Sequence, residues 1–176
     1  ILRCLVGSEM CIRDRPASAN QTPCIAGSYQ PLVGQISCID ADAGHYVAST
    51  GRSSQTACTA GTYQPSTGQA ACLDADAGHY VASTGQSSQT ACAAGTYQPS
   101  TGQAACLDAD AGHYVPITGQ TSQTPCPAGT YNPLAGSSSQ DSCVSTDPGY
   151  YSENGSASQT ACLSLIHISE PTRHRR

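Results

Sequence analysis

The sequence repeats a Gly-x-Tyr motif every 17 residues along most of its length. A second glycine follows each of these tyrosines by five residues, and one further copy of the motif is displaced, at Tyr150 or its neighbour Tyr151. A fixed period this short is typical of small stacked units that contact their neighbours, and not of a single globular core. The tyrosines in strict register are Tyr29, Tyr46, Tyr63, Tyr80, Tyr97, Tyr114 and Tyr131.

Two terminal segments share neither this repeat nor its composition. Residues 5–14 read LVGSEMCIRD and residues 164–172 read SLIHISEPT. One DNA duplex, read in opposite directions and one base out of phase, encodes both strings. The pair resembles the adapter that transposase-based sequencing libraries attach to both ends of an insert. We therefore predict that residues 1–15 and 163–176 are not native, and that the body, residues 16–162, is an internal fragment.

The body is almost free of positive charge and poor in large apolar side chains. Arg52 is its only Lys or Arg, against nine acidic residues, which gives a formal net charge of −8 with neutral histidines. Such a chain is a poor partner for nucleic acid or anionic lipid. Leu, Ile and Val make up about 9% of the body, and Phe and Trp are absent, which is too little for a conventional core.

Regularly spaced cysteines offer another means of holding the chain together. The body contains nine of them, and most of their spacings alternate between 14 and 20 residues. This pattern in a chain rich in Gly, Ser and Thr indicates a disulfide framework in an oxidising compartment. We therefore expect an extracellular protein, either secreted or on the cell surface. The nine are Cys24, Cys38, Cys58, Cys72, Cys92, Cys106, Cys126, Cys143 and Cys162.

The full repeat is 34 residues long and consists of two similar halves. Residues 58–91 and 92–125 are nearly identical, and residues 24–57 and 126–161 are looser copies. In each half a short stretch around the tyrosine leads into a turn such as PSTG, which suits a type I turn with a left-handed glycine. The sequence predicts a small disulfide-rich, mostly β or irregular fold, in which 17-residue β-hairpins form an extended tandem array.

The pattern C-x2-G-x-Y-x8-C resembles the ephrin-receptor-like cysteine-rich repeats, and is similar to the smallest modules of tumour necrosis factor receptor ectodomains. The resemblance covers roughly residues 16–162. In that family each half usually has its own cysteine pair, whereas here both cysteines of alternate halves are replaced together. The replacing residues are Ala41, Ala75 and Ala109 at the first position and Gln55, Gln89 and Gln123 at the second.

Loss of both cysteines together is expected if the partners are bonded within one half. We therefore predict Cys24–Cys38, Cys58–Cys72, Cys92–Cys106 and Cys126–Cys143, with Cys162 opening a truncated fifth loop. A competing register, Cys38–Cys58, Cys72–Cys92, Cys106–Cys126 and Cys143–Cys162, would leave Cys24 unpaired instead. In the predicted register, tyrosine packing and turns alone close the halves without cysteines. We expect those halves, around Tyr46, Tyr80 and Tyr114, to be the flexible ones.

The stretch DADAGHY is the one place where ligand-type side chains cluster. Alternating aspartates before a glycine are candidate calcium ligands, although the further oxygens and distal glutamate of an EF-hand loop are missing. The alternative is turn chemistry, in which the aspartates accept hydrogen bonds from nearby backbone amides. The candidates are Asp40, Asp42, Asp74, Asp76, Asp108 and Asp110, followed by His45, His79 and His113.

Two other features are candidates for a functional role. The tyrosine ladder is either a structural element, in which each ring packs on the neighbouring hairpin, or a stripe that binds protein or sugar. Asn20-Gln21-Thr22 and Asn154-Gly155-Ser156 fit the pattern of N-glycosylation acceptors.

The sequence suggests no catalytic or cofactor-binding residue. It has no lysine, no glycine-rich phosphate loop before a helix, and no histidine near a lone cysteine or an exposed serine elbow. We expect a non-catalytic spacer, display or adhesion rod whose partners are extracellular proteins or glycans, without nucleic acid and without membrane insertion. The alternatives are a ligand-binding receptor ectodomain and a calcium-binding repeat module. Near-identity of neighbouring repeats favours the rod, because a specific binding site usually needs some repeats to differ.

Overall fold

The computed structural model describes residues 22–162, and the two predicted adapter segments lie outside the described residues. These residues form eight antiparallel two-stranded hairpins, numbered 1 to 8 in chain order. Each hairpin pairs two consecutive strands and corresponds to one half-repeat, which is 17 residues long except in hairpin 7, where Gly149 follows Gly129 by 20 residues. The predicted fold class, a tandem array of small disulfide-rich hairpins, is confirmed.

Every strand is two residues long, and a single turn of 3-10 helix, Gln140–Ser142, interrupts the pattern in hairpin 7. The strands are β1 Ser28–Tyr29, β2 Ile39–Asp40, β3 His45–Tyr46, β4 Thr56–Ala57, β5 Thr62–Tyr63, β6 Leu73–Asp74, β7 His79–Tyr80, β8 Thr90–Ala91, β9 Thr96–Tyr97, β10 Leu107–Asp108, β11 His113–Tyr114, β12 Thr124–Pro125, β13 Thr130–Tyr131, β14 Val144–Ser145, β15 Tyr150–Tyr151 and β16 Thr160–Ala161.

The Gly-x-Tyr motif begins each hairpin with a tight turn. In hairpin 5 the backbone N–H of Thr96 donates to the carbonyl oxygen of Ala93 at 3.0 Å, which places Gly95 at the third turn position. Gly95 has φ +88°, and a type II turn requires a positive φ at this position. The loop glycine of the same hairpin, Gly102, has φ +71°, the left-handed conformation that the sequence predicts.

In hairpins 2 to 8 the residue that follows the tyrosine is buried inside the loop between the two strands. In hairpin 5 this residue is Gln98, which is buried. Its Nε2 donates to the carbonyl oxygen of Ala105 at 2.8 Å, and its Oε1 accepts from the backbone N–H of Ser100 at 3.2 Å. Gln64 fills hairpin 3 in the same way, while Val47, Val81 and Val115 occupy this position in hairpins 2, 4 and 6.

Consecutive hairpins are joined mainly by backbone hydrogen bonds. Between hairpins 3 and 4, Gly61 N–H donates to Val81 O at 2.8 Å, and Gln64 N–H donates to Gln86 O at 3.1 Å. Equivalent bonds recur along the described chain, from Gly27 N–H to Val47 O at one end to Asn132 N–H to Ser156 O at the other. Because these bonds use no side chains, the same interface forms between hairpins of different composition.

Each hairpin also contacts the hairpin after next, through the two glycine ladders. Gly102, in the loop of hairpin 5, donates its N–H to Ala75 O at 2.8 Å, at the junction where hairpin 3 passes into hairpin 4. The carbonyl of Gly102 lies so close to Gly61 in hairpin 3 that a Cβ atom at residue 61 would overlap it. The corresponding pairs are Gly27 with Gly68, Gly44 with Gly85, Gly78 with Gly119, Gly95 with Gly136, and Gly112 with Gly155. This double contact explains why glycine recurs at both positions.

The buried axis of the stack consists of small side chains. Ten of the thirteen Leu, Ile and Val residues of the body are exposed, and only Val47, Val81 and Val115 are buried. Around them lie the residues three positions before each motif glycine, which alternate between cysteine and alanine: Cys24, Ala41, Cys58, Ala75, Cys92, Ala109 and Cys126. The ladder tyrosines lie beside this axis and are half-buried. Stability therefore depends on chain closures and backbone bonds more than on apolar burial.

Candidate functional site

Hairpins 1, 3, 5 and 7, here called the disulfide hairpins, are each closed by one disulfide. The bonds join Cys24 to Cys38, Cys58 to Cys72, Cys92 to Cys106, and Cys126 to Cys143, with Cα–Cα distances of 5.7 or 5.8 Å. These are the four pairs of the first register predicted from the sequence. Cys162 is exposed and is not disulfide-bonded within the described residues.

The other four hairpins are closed by a pair of hydrogen bonds between an aspartate and a glutamine. In hairpin 4 the backbone N–H of Asp76 donates to Gln89 Oε1 at 2.6 Å, and Gln89 Nε2 donates to Asp76 Oδ2 at 2.5 Å. Gln89 stands at the position that the second cysteine occupies in a disulfide hairpin. We call this arrangement the Asp–Gln clasp, and hairpins 2, 4, 6 and 8 the clasp hairpins.

The clasp recurs in every one of these hairpins with nearly constant geometry. The pairs are Asp42 with Gln55, Asp76 with Gln89, Asp110 with Gln123, and Asp147 with Gln159, and all eight hydrogen bonds measure 2.5–2.8 Å. The expectation that tyrosine packing and turns alone close these halves is therefore wrong. A polar clasp occupies the place of the missing covalent bond.

The two aspartates of each DADAGHY stretch point to different partners. The second, such as Asp76, is held by the clasp within its own repeat half. The first, such as Asp74, lies in the disulfide hairpin before it, with its carboxyl carbon 3.5 Å from where a Cβ on Gly102 would be. Asp40 and Asp108 lie against the loop glycines Gly68 and Gly136 in the same way. The calcium candidates are thus divided between two structural roles.

These carboxylates do not gather into a multidentate site in the described part of the chain. Between residues 22 and 162 there is no group of three or more His, Cys, Asp or Glu side chains arranged to hold a metal ion. The Nδ1 atom of His79 lies 3.4 Å from the carbonyl oxygen of Ala77 in its own turn. His45 and His113 make the equivalent contact with Ala43 and Ala111. Calcium binding by the stretch stays a prediction.

The exposed surface of the disulfide hairpins carries apolar cross-strand pairs. Tyr97 lies directly opposite Leu107, and Tyr63 opposite Leu73, with both leucines about half exposed. Tyr29 with Ile39 and Tyr131 with Val144 complete the set. In the clasp hairpins the residue opposite the tyrosine that ends the first strand is a threonine instead. These threonines are Thr56, Thr90, Thr124 and Thr160. The two kinds of hairpin therefore present different surfaces at the same structural position.

Hairpin 1 differs from the other disulfide hairpins in its loop. Leu32 and Val33 replace the serine and threonine found in hairpins 3 and 5, Ile36 replaces an alanine, and all three are exposed. A shallow concavity of about 550 Å³ lies beside this loop, next to the Cys24–Cys38 disulfide and Arg52. This loop is the most apolar surface feature in which the repeats differ from one another.

The fold and these closures define a class of protein, a small disulfide-rich array of tandem hairpin repeats. Four disulfides are compatible with an extracellular repeat module, because such bonds persist in oxidising compartments. Within residues 22–162 no helix is long and apolar enough to cross a membrane. No protein-family model matches the chain, and no curated protein is similar to it at a significant level.

Proposed function

We propose that this chain is a non-catalytic segment of a secreted or cell-surface protein, and that it serves as a spacer that holds another region away from a surface. The observation that carries the proposal is the stacking interface, which is made of backbone hydrogen bonds and glycine contacts. An interface of this kind accepts any number of repeats, so the length of the array can change without redesign of its surface. The resemblance to ephrin-receptor-like repeats is consistent with such an extracellular role.

The surface chemistry also suits a display or adhesion segment. Apart from Arg52, the charges of the described hairpins are acidic, which favours solubility and keeps neighbouring arrays apart. Stacking leaves the loop side chains of the central repeats, such as Ser83 and Thr101, exposed to solvent. Partners would be extracellular proteins or glycans that contact these exposed positions. We assign no catalytic residue and no cofactor.

The spacer proposal is tested by changing the number of repeats. The full chain is displayed on a cell surface with an epitope at its distal end, and the height of the epitope above the membrane is measured. Duplication of residues 58–91 is expected to raise the epitope, and deletion of the same residues to lower it by an equal step. A substitution of exposed side chains that leaves the length unchanged, such as Leu107→Ser, is the matched control. A height that does not depend on repeat number would refute the proposal.

A ligand-binding receptor ectodomain is the second candidate, and the Tyr–aliphatic pairs favour it. Tyr97 with Leu107 and its equivalents offer rigid apolar area with a polar hydroxyl, a combination common at binding surfaces. This candidate predicts that a screen against extracellular proteins and glycans returns a ligand whose binding is lost in a Leu73→Ser, Leu107→Ser double variant. The matched control is Thr90→Ser, which changes the equivalent position of a clasp hairpin.

A further inference from the structure

The loop of hairpin 8 departs from the repeat at Asn154. The equivalent position, just before the loop glycine, is threonine in hairpins 2 to 6, and here the sequence becomes Asn154-Gly155-Ser156. The loop backbone is fixed within the stack, since Gly155 N–H donates to Cys126 O at 2.9 Å and Ser156 O accepts from Asn132 N–H at 3.1 Å. The Asn154 side chain is exposed on this fixed loop.

The two ends of the Asn154 amide are in different environments. Its Oδ1 accepts a hydrogen bond from the backbone N–H of Ala128 at 2.8 Å. Its Nδ2 makes no hydrogen bond to any residue in the described range 22–162. N-glycosylation modifies Nδ2 and leaves the carbonyl oxygen in place, so the bond to Ala128 is compatible with the modified side chain. The structure thus keeps the reactive nitrogen accessible and holds the rest of the amide.

Asn132 provides an internal contrast one hairpin earlier. It is fully buried, and its Nδ2 donates to His113 O and to Ser137 Oγ. It is followed by Pro133, which the acceptor pattern excludes. Sequence, burial and hydrogen bonding therefore all separate Asn154 from Asn132. The other acceptor pattern, at Asn20, has its asparagine outside the described residues.

We propose that Asn154 is an N-glycosylation site, an inference that rests on the proposed extracellular location of the chain. In the reaction the Asn154 Nδ2 forms a bond to the anomeric carbon of a lipid-linked oligosaccharide pyrophosphate. The bond from that carbon to the pyrophosphate oxygen breaks, the lipid pyrophosphate leaves, and Nδ2 loses one proton. Ser156 supplies the hydroxyl that the acceptor pattern requires. The product places a bulky hydrophilic group on the outer surface of hairpin 8.

The test is expression of the full chain behind a cleavable secretion signal in an animal cell line, with the protein recovered from both cells and medium. Release of N-glycans by a peptide N-glycosidase in heavy-oxygen water converts each modified asparagine into a labelled aspartate. The label separates glycan release from deamidation of the Asn154-Gly155 sequence that occurred earlier in ordinary water, and a parallel sample kept in heavy-oxygen water without the glycosidase measures deamidation during the incubation. The peptides are cut beside tyrosine, because the body has only Arg52 for trypsin.

A labelled aspartate at position 154, absent from Ser156→Ala and retained in Ser156→Thr, supports the proposal. The label should be absent from position 132 in every sample. An unlabelled Asn154 in the recovered wild-type protein would overturn the proposal, whatever happens at Asn20. The disulfide map of the same sample tests the extracellular assignment separately. Formed disulfides with an unlabelled Asn154 would reject the glycan alone, and absent disulfides would reject the proposed function.

Discussion

The Asp–Gln clasp can be tested by building one in a hairpin that has a disulfide. Hairpin 5 becomes a copy of a clasp hairpin through the triple substitution Cys92→Ala, Ala93→Asp and Cys106→Gln. Each new residue already occupies the equivalent position in hairpin 4, as Ala75, Asp76 and Gln89. The turn backbone is the same in both, because Thr96 and His79 each donate to the residue three positions earlier at 3.0 Å. The replacement therefore requires no change of backbone conformation.

The size of the effect follows from the two closures. A disulfide that closes a 15-residue loop contributes roughly 3 kcal/mol. The clasp has one neutral hydrogen bond and one to a carboxylate, which together contribute on the order of 1–2 kcal/mol after allowance for their solvent exposure. The double variant Cys92→Ala, Cys106→Ala should thus lose about 3 kcal/mol of unfolding free energy. The triple variant should recover about 1–2 kcal/mol of this loss.

The measurement is urea denaturation of the full chain, with hydrogen exchange of the peptide covering residues 92–108 as a local readout. The single variant Ala93→Asp, which keeps the disulfide, is the control and should stay within about 0.5 kcal/mol of the wild type. A triple variant no more stable than the double variant would show that the clasp contributes nothing to closure. The alternation of closures would then need another explanation.

Three further substitutions or conditions test the remaining contacts. In urea titration, Gly78→Ala should lower the free energy of unfolding by about 2 kcal/mol or more beyond the loss in Gly129→Ala. Both glycines have a positive φ, but only a Cβ at residue 78 would overlap a loop carbonyl of the described chain. Val81→Ala should cost about 2 kcal/mol and Leu73→Ala less than about 1 kcal/mol, since they are 2% and 49% exposed. The turn-chemistry interpretation of DADAGHY predicts the same Tm in calcium and in chelator, because the Asp76 carboxylate already accepts the clasp hydrogen bond. A Tm that is raised by calcium, and is not raised in Asp76→Asn, would support the calcium hypothesis instead.

The period of the sequence predicts the hairpins, because each physical requirement of a half-repeat fixes the residue type at one position. A positive φ requires glycine at Gly95 and Gly102, and covalent closure requires cysteine at Cys92 and Cys106. The pairing could be predicted because alanine and glutamine replace both cysteines of a half together. The residues of each closure lie within one 17-residue window, and a comparison of neighbouring windows shows which residues change together.

The clasp was missed although its signal is present in the sequence. Wherever glutamine replaces the second cysteine, an aspartate follows the first position, as in Asp76 with Gln89; the disulfide hairpins have Ile25, Thr59, Ala93 and Pro127 there. Considered separately, the aspartates are possible calcium ligands and the glutamines are simple replacements for cysteine. Only their joint occurrence indicates that they are partners. The next-but-one contact was missed for another reason. It joins residues 41 positions apart, such as Gly61 and Gly102, and no local pattern reports such a distance.

The alternation of closures also explains why an oxidising compartment suits this fold. Each clasp hairpin from 2 to 6 lies between two disulfide hairpins and shares its backbone bonds with both. A hairpin gains about three such bonds from its successors, each contributing roughly 0.5–1.5 kcal/mol. With so little apolar burial, the margin depends on closures that restrict the unfolded chain. Reduction would remove the closure from both neighbours of these clasp hairpins at once, so the weaker polar clasps would have no covalently closed hairpin to stack on.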